Sequence, residues 1–371
     1  MRRSKTILLA VAALSGLVLP ASAAPLTYPV QIDDPWPVPN APHPTAPSWL
    51  VYDANADAIL ASRNSNDERA IASVTKIMTG LVVMEYGHPD ELVTVSEKAA
   101  ATGEKEIELE AGEQVTVEQL FKALMIHSAN DAATALAEHI GGSVDGFVGL
   151  MNARVAELGL EHTNFANPHG LDAANHYSSA RDLVVLAREA MAYPEFAEAV
   201  RSRSYVFPPA PDGTARIAQT TNLMLGEYEG MAGIKTGFTF QALLTFVAAA
   251  ERDGRMIYVV VLGSEGRRQH FADAELLFDY AFDDMPYYQM LSSGQPYDSP
   301  QPRVAPGPRT VARDSEAMLH LAGEGLLLEQ PGPIGGEPIP EPSPVVETTR
   351  SPEAGPDSFW SAVTFWFSAG E

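Results

Sequence analysis

The sequence predicts an α+β fold, an antiparallel sheet covered by helices, followed by a Pro-rich C-terminal extension. Three observations carry that prediction. Strand-like apolar runs flank a turn near residue 55 and again near residue 253, and the chain between these two hairpins is dominated by helical spacing. Strands at both ends of a helical block bury their apolar faces by pairing with each other and packing against the helices. At 371 residues, with 46% apolar and 19% charged composition, the chain is long enough for one large core with attachments.

The elements follow in order. Arg2, Arg3 and Lys5 precede an apolar stretch at 7–19, Pro20 breaks it, and Ala21-Ser22-Ala23 supply the small residues that a signal peptidase accepts. Residues 1–23 are therefore expected to be a cleaved signal peptide, because the apolar run is too short to cross about 30 Å of hydrocarbon. Residues 24–47 hold eight prolines and neither periodicity, which predicts an extended lead-in. The main domain is expected over 48–288. It opens with Trp49-Leu50-Val51-Tyr52-Asp53 and Ala58-Ile59-Leu60-Ala61 around an Asn/Asp turn, a hairpin pattern.

Helical spacing begins at 71–86, with Ile77, Leu81, Val82 and Met84 on one face. Thr116 and Gln119 form a capping box ahead of Leu120, Phe121, Leu124 and Met125. A helix over 132–140 stops at Gly141-Gly142, and Ser179 caps another that runs to Met191. Strands at 244–248 and 256–262 flank Arg252-Asp253-Gly254, and a last helix covers 271–282. Thirteen of the 29 prolines fall between Pro296 and Pro356. Residues 289–330 are expected to be a small β appendage, 331–357 a Pro-rich linker, and 358–371 an aromatic, amphipathic tail.

Charge and composition exclude whole classes of function. Lys and Arg total 24 against 48 Asp and Glu, a net charge of −24, so no nucleic-acid partner is expected. The absence of cysteine removes disulfides, Cys-ligated metals and a cysteine nucleophile. His162, His169 and His176 recur without an H-E-x-x-H pattern, so no metal and no cofactor are expected. His127 beside Ser128 lacks a G-x-S-x-G elbow and reads as a helix-end histidine.

Three short motifs carry chemistry. Ser73-Val74-Thr75-Lys76 opens an apolar helix, and a spacing of three puts the amine of Lys76 beside the hydroxyl of Ser73. Ser128-Ala129-Asn130 lies between two amphipathic helices, in a loop that must turn inward. Lys235-Thr236-Gly237 stands just before the second strand hairpin, with Gly237 permitting close backbone approach. Each motif alone is weak, but the order S-x-x-K, S-x-N, K-T-G is the signature of active-site serine enzymes that react with penicillin.

Between about Pro47 and Asp284 the chain resembles the D-alanyl-D-alanine carboxypeptidases, low-molecular-mass penicillin-binding proteins of the S11 peptidase type. Beyond the three motifs, the resemblance rests on Asn167-Pro168-His169-Gly170-Leu171, on Tyr177-Ser178-Ser179-Ala180-Arg181-Asp182, and on Gly233-Ile234 and Phe238-Thr239 around Lys235-Thr236-Gly237. It implies a β-lactamase/transpeptidase-like fold, periplasmic location, and a peptidoglycan pentapeptide ending in D-Ala-D-Ala as substrate, with β-lactams as covalent inhibitors. Ser73 would be the nucleophile, Lys76 the general base and Ser128 the proton relay. Asn130, Lys235, Thr236, Gly237 and Phe238 would bind substrate, the Ser73 and Phe238 amides forming the oxyanion hole.

Two departures stand out. Leu243 follows Ala242 where relatives have Gly, and His270 precedes Phe271 where relatives carry a carboxylate-binding Arg, which leaves His270, Arg267 and Arg268 as candidates for that role. A class A β-lactamase shares the three motifs but needs an E-x-x-L-N loop. Glu161-His162-Thr163-Asn164 is one residue short of it and lacks the Leu. A catalytically silent peptidoglycan-binding protein is the second alternative, suggested by Leu243 and His270. The tail concentrates Phe359, Trp360, Phe365, Trp366 and Phe367, too short to span a bilayer, and is expected to touch the outer face of the inner membrane weakly.

Overall fold

Asp53 turns the first strand back on itself. Strand β1 (Ser48–Asp53) ends where the Asp53 carboxylate accepts the N–H groups of Asn55 (2.9 Å) and Ala56 (3.0 Å), and β2 (Ala58–Arg63) returns alongside. The computed structural model describes residues 42–284. The signal at 1–23, nearly all of the lead-in, the appendage, the linker and the tail lie outside the described residues.

After β2 the chain makes a 3₁₀ turn at Ala72–Thr75 and enters helix α1 (Lys76–Tyr86). Strands β3 (Leu92–Thr94) and β4 (Gln114–Thr116) pair around the short helix α2 (Glu97–Ala100). The predicted capping box is present: Thr116 Oγ1 accepts the Gln119 N–H while Gln119 Oε1 accepts the Thr116 N–H, opening α3 (Val117–Lys122). A π-helical turn, Ala123–His127, leads into α4 (Asn130–Gly141). Helices α5 (Val144–Leu158), α6 (Ala180–Met191) and α7 (Pro194–Arg201) follow, with Ser179 capping α6 as expected. A small hairpin, β5 (Ser204–Phe207) with β6 (Arg216–Gln219), precedes β7 (Met231–Thr239), β8 (Leu243–Arg252), β9 (Arg255–Ser264) and the closing helix α8 (Gln269–Asp279).

The main sheet has five strands in the order β2-β1-β9-β8-β7, all neighbours antiparallel, which is the predicted α+β architecture. Alternation along the strands separates two cores. Leu50, Tyr52, Val247, Ala249, Val260 and Leu262 face the helical block, which we call the inner face. Trp49, Val51, Phe246, Ala248, Val259 and Val261 face α8, which covers them with Ala274, Leu277 and Phe278. Asp273 of α8 ties this outer layer to the chain entering the sheet. Its carboxylate accepts the Thr45 N–H (2.8 Å), the Ala46 N–H (3.2 Å) and the Ser264 hydroxyl (2.6 Å).

The structure adjusts the sequence expectations in three places. The expected helix over 71–86 is α-helical only from Lys76: Ala72, at φ 51°, cannot belong to a right-handed helix, and a 3₁₀ turn carries the chain from there to Thr75. Lys235-Thr236-Gly237 stands just before the β8–β9 hairpin as expected, but it also forms part of a strand of its own, the edge strand β7. Helices α5 and α7 escape the periodicity reading: α5 buries only Phe147, Met151 and Val155, and α7 is eight residues long.

Candidate active site

Ser73 stands on the 3₁₀ turn, half-buried, between α1 and the edge of the sheet. The turn is held from several sides. Thr75 Oγ1 donates to the Ala72 carbonyl (2.8 Å), and Thr245 Oγ1 of β8 donates to the Ile71 carbonyl (3.0 Å). His176 completes the support. Its Nδ1 accepts the Ala166 N–H (3.0 Å), which leaves Nε2–H to donate to Thr75 Oγ1 at 2.7 Å. Burial pushes the His176 imidazole down to about 4, so it is neutral at physiological pH, as acceptance at Nδ1 requires. On the far side Gly170, at φ 93°, presses on the turn so closely that a Cβ there would lie 2.1 Å from the Ala72 carbonyl oxygen.

Lys76 is completely buried at the start of α1. Its Nζ lies 2.9 Å from Ser73 Oγ, 2.7 Å from Asn130 Oδ1 and 2.5 Å from the His169 carbonyl oxygen. Burial first, and the cation of Lys235 second, hold this amine well below the ordinary lysine range. The neutral form suits the geometry. Asn130 Oδ1 and the His169 carbonyl can only accept, so they take the two N–H groups, and the remaining lone pair faces the Ser73 hydroxyl. That is the arrangement a general base needs.

The other residues converge from three elements. Ser128 ends the π-helical turn in the left-handed conformation (φ 72°) and is 5% exposed, so the chain reverses there and brings Asn130 back over Lys76. Asn130 is oriented by Nδ2–H donation to the Gly103 carbonyl (2.9 Å) and by its own N–H on the Lys105 carbonyl (2.6 Å). The same loop is pinned by Asp131, whose carboxylate accepts the N–H groups of Ile107 (3.1 Å) and Leu109 (3.0 Å). On β7, Lys235 is buried, donates to the Thr236 carbonyl (2.9 Å), and is pushed down to about 7 by burial and then by Lys105. Thr236 Oγ1 donates to Thr221 Oγ1 (2.6 Å). Gly237 passes so near the nucleophile that a Cβ there would stand 2.8 Å from the Ser73 nitrogen.

The two departures also find their places. Leu243 holds φ 59°, so the chain keeps the left-handed bend where relatives have Gly and carries a side chain there. His270 is buried against the rings of Phe271 (3.9 Å) and Phe246 (6.0 Å), its Nδ1 has no hydrogen-bond partner among the described residues, and burial pushes it down to about 4. It is neutral at physiological pH and supplies no cation. Arg267 and Arg268 are exposed just before α8. His127 closes the π-helical turn and accepts the Gln219 N–H at its Nδ1 (3.4 Å), a link to β6. Thr75, Thr221, Thr245 and Asp131 belong to the site without having been singled out by spacing, Thr75 alone lying inside a motif, and His176, noted only for its recurrence, supports the turn that carries Ser73.

A serine hydroxyl facing the lone pair of a buried amine, beside a recessed sheet edge, defines a serine acyl-transfer site. The chain belongs to the D-alanyl-D-alanine carboxypeptidase family, peptidase S11, whose family model matches residues 37–266. It is 34% identical over 255 residues to the D-alanyl-D-alanine carboxypeptidase DacF of Bacillus subtilis, a match covering 67% of this chain and 65% of that protein. It is 36% identical over 256 residues to DacB2 of Mycobacterium tuberculosis, covering 66% of this chain and 84% of the relative. Among solved structures, the Streptomyces K15 DD-transpeptidase superposes with a TM-score of 0.62 at 31% identity, covering 65% of this chain and 98% of that one.

Proposed function

We propose that the protein is a serine D-Ala-D-Ala carboxypeptidase that removes the terminal D-alanine from peptidoglycan stem peptides. The observation that carries this reading is the 2.9 Å contact between Lys76 Nζ and Ser73 Oγ, in a setting where the other two partners of Nζ can only accept. Ser73 Oγ attacks the carbonyl between the two D-alanines as its proton passes to Lys76. The Ser73 and Phe238 amides receive the oxyanion, a contribution of about 3 kcal/mol per donor in comparable sites. Collapse of the tetrahedral intermediate breaks the peptide bond, and Ser128 passes the proton from Lys76 to the departing D-alanine nitrogen. Water, deprotonated by the same lysine, then hydrolyses the ester.

Asn130 bonds the substrate amide, and Lys235 and Thr236 hold the terminal carboxylate beside Gly237. A β-lactam enters the same place, its ring amide standing for the scissile bond, and leaves a stable acyl group on Ser73. The test is mass spectrometry after exposure to benzylpenicillin. One stoichiometric adduct on Ser73 is expected, and Ser73→Ala abolishes both the adduct and D-alanine release. An adduct persisting in Ser73→Ala refutes the mechanism.

The reading extends to location. Residues 1–23 support export to the periplasm, and the aromatic tail supports weak contact with the outer face of the inner membrane. Fractionation of cells producing the full chain and a chain ending at Pro356 tests this: equal solubility of the two eliminates the tail as an anchor.

A further inference from the structure

Thr221 brings a hydroxyl beside Thr236 that the reaction above does not use. It follows β6 in a stretch fixed on both sides. The Thr220 N–H donates to the Arg203 carbonyl (2.9 Å), and the Asn222 N–H donates to Thr220 Oγ1 (3.1 Å). From there Thr221 Oγ1 accepts the Thr236 hydroxyl at 2.6 Å. Thr236 is held in turn by its pairing with Phe246 across β7 and β8 and by Lys235, whose Nζ donates to its carbonyl at 2.9 Å. Both threonines are β-branched and stiff about χ1, so backbone placement sets the contact.

The pair holds two protons and uses one. A hydroxyl supplies a single O–H and two lone pairs. With the Thr236 proton spent on Thr221, the Thr221 proton has no acceptor among the described residues. Thr236 is 9% exposed, while Thr221 is half-buried and the more open of the two. On the carboxypeptidase reading above, on which this inference rests, the leaving D-alanine's carboxylate is held at Thr236. A carboxylate only accepts, and it takes whatever proton the pair leaves over. As the structure stands, that proton belongs to Thr221.

We propose that Thr221 is a second carboxylate-binding residue, and that it and Thr236 form one donor unit whose single spare proton goes to the carboxylate of the leaving group. The bond inside the unit strengthens the bond leaving it, because hydrogen bonds in a chain polarise one another. The outgoing bond ends on a charge and is one of the stronger kind. The unit is also redundant. Without the Thr221 hydroxyl, the Thr236 proton loses its internal acceptor and turns to the carboxylate. Without the Thr236 hydroxyl, Thr221 still has its own proton to give. Only loss of both leaves the carboxylate without a hydroxyl donor from this wall. Thr236, the residue inside the Lys235-Thr236-Gly237 motif, is therefore backed by a residue that no motif contains.

The test uses two N-acetyl-D-alanyl thioesters on the full protein, one of thioglycolate and one of ethanethiol, which differ in the carboxylate on the leaving group. The readout is the ratio of their kcat/KM values. Thr221→Val and Thr236→Val should each lower that ratio by less than about threefold, and the double variant by at least about tenfold. Thr221→Ser in the Thr236→Val background should keep the ratio of the single variant. A Thr236→Val ratio as low as that of the double variant overturns the proposal, as does a double variant no lower than the singles or a serine that fails to rescue. Each ratio is taken within one preparation, so partial unfolding cancels, and Thr221→Ala gives the same comparison if the valine does not fold. A ratio near one on the unaltered protein overturns carboxylate recognition by the pair. If the unaltered protein turns over neither thioester and is not acylated by penicillin, the carboxypeptidase reading itself falls, and the donor unit with it.

Discussion

The two faces of the central sheet handle buried charge in opposite ways. On the outer face, under α8, Asp273 is buried but its two oxygens are surrounded by N–H and O–H groups from Thr45, Ala46, Ser264 and Gln269. On the inner face Lys76 and Lys235 are as deeply buried, and among the described residues neither forms an ion pair with a carboxylate. A buried carboxylate ringed by hydrogen-bond donors fastens the fold. A buried amine with neutral hydrogen-bond partners and a second cation nearby, but no ion-paired carboxylate among the described residues, gives up its proton readily and is poised to act as a base. The contrast locates chemistry where compensation is withheld.

Single substitutions sharpen this contrast. The largest effect is expected from Lys76→Ala, which removes the base and should slow acylation by benzylpenicillin by about 10²–10⁴-fold. Asp273→Ala should do the reverse. Loss of a buried, hydrogen-bonded carboxylate costs about 3 kcal/mol, which lowers Tm by roughly 6–12 °C in a domain of this size. The acylation rate of the remaining folded protein should stay the same. A slowed Asp273→Ala enzyme would break the division between the faces.

His176 and His270 allow the same comparison with one residue type. His176→Ala should slow acylation about tenfold by releasing Thr75 and the turn that carries Ser73, and His176→Gln, which can still donate to Thr75, should restore part of it. His270→Leu should leave acylation unaltered. Both histidines are held near 4, below the unfolded value of about 6.5. Between those values the unfolded chain binds more protons, so stability rises with pH across that window and is lost as pH falls through it. Each histidine contributes a slope of up to about 1.4 kcal/mol per pH unit, and either His270→Leu or His176→Gln should flatten the measured slope by that amount.

The mildest effect concerns Lys235. Held near 7, it loses its charge as pH rises above that value, so kcat/KM for carboxylate-bearing peptides should fall on the alkaline side by up to tenfold per pH unit. Esters lacking the carboxylate should show no such limb. A flat profile for both substrates would place the carboxylate anchor elsewhere, with Arg267 and Arg268 next to be replaced.

Much of this was legible in the sequence because it depends on local pattern. The first hairpin, the capping box at Thr116 and the β8–β9 hairpin follow from turn residues and alternation, and Ser73 and Lys76 meet because three residues make nearly one helical turn. Strand β7 was harder to read. Gly233, Lys235, Thr236 and Gly237 interrupt the apolar alternation, since this strand gives its side chains to a cleft. The chain from His176 through Thr75 to Ala72 was invisible, because its partners are 101 residues apart and nothing in spacing couples them. The neutrality of Lys76 likewise follows from packing around it, which no motif encodes.

The recessed edge of the sheet has a consequence for behaviour in crowded surroundings. A terminal strand presents unpaired backbone groups that can zip onto another copy of the same protein. At one end the edge strand is the six-residue β2, buried over residues 59–62, beside a register shift at Val51/Tyr52 and with Arg63 exposed at its tip. At the other end, residues 232–237 of β7 are buried, with the 3₁₀ turn and α7 packed against them. A single thin peptide can slide into that recess, but the broad flank of a neighbouring sheet cannot. A recess with room for one extended chain at a time therefore also guards the molecule against edge-to-edge aggregation.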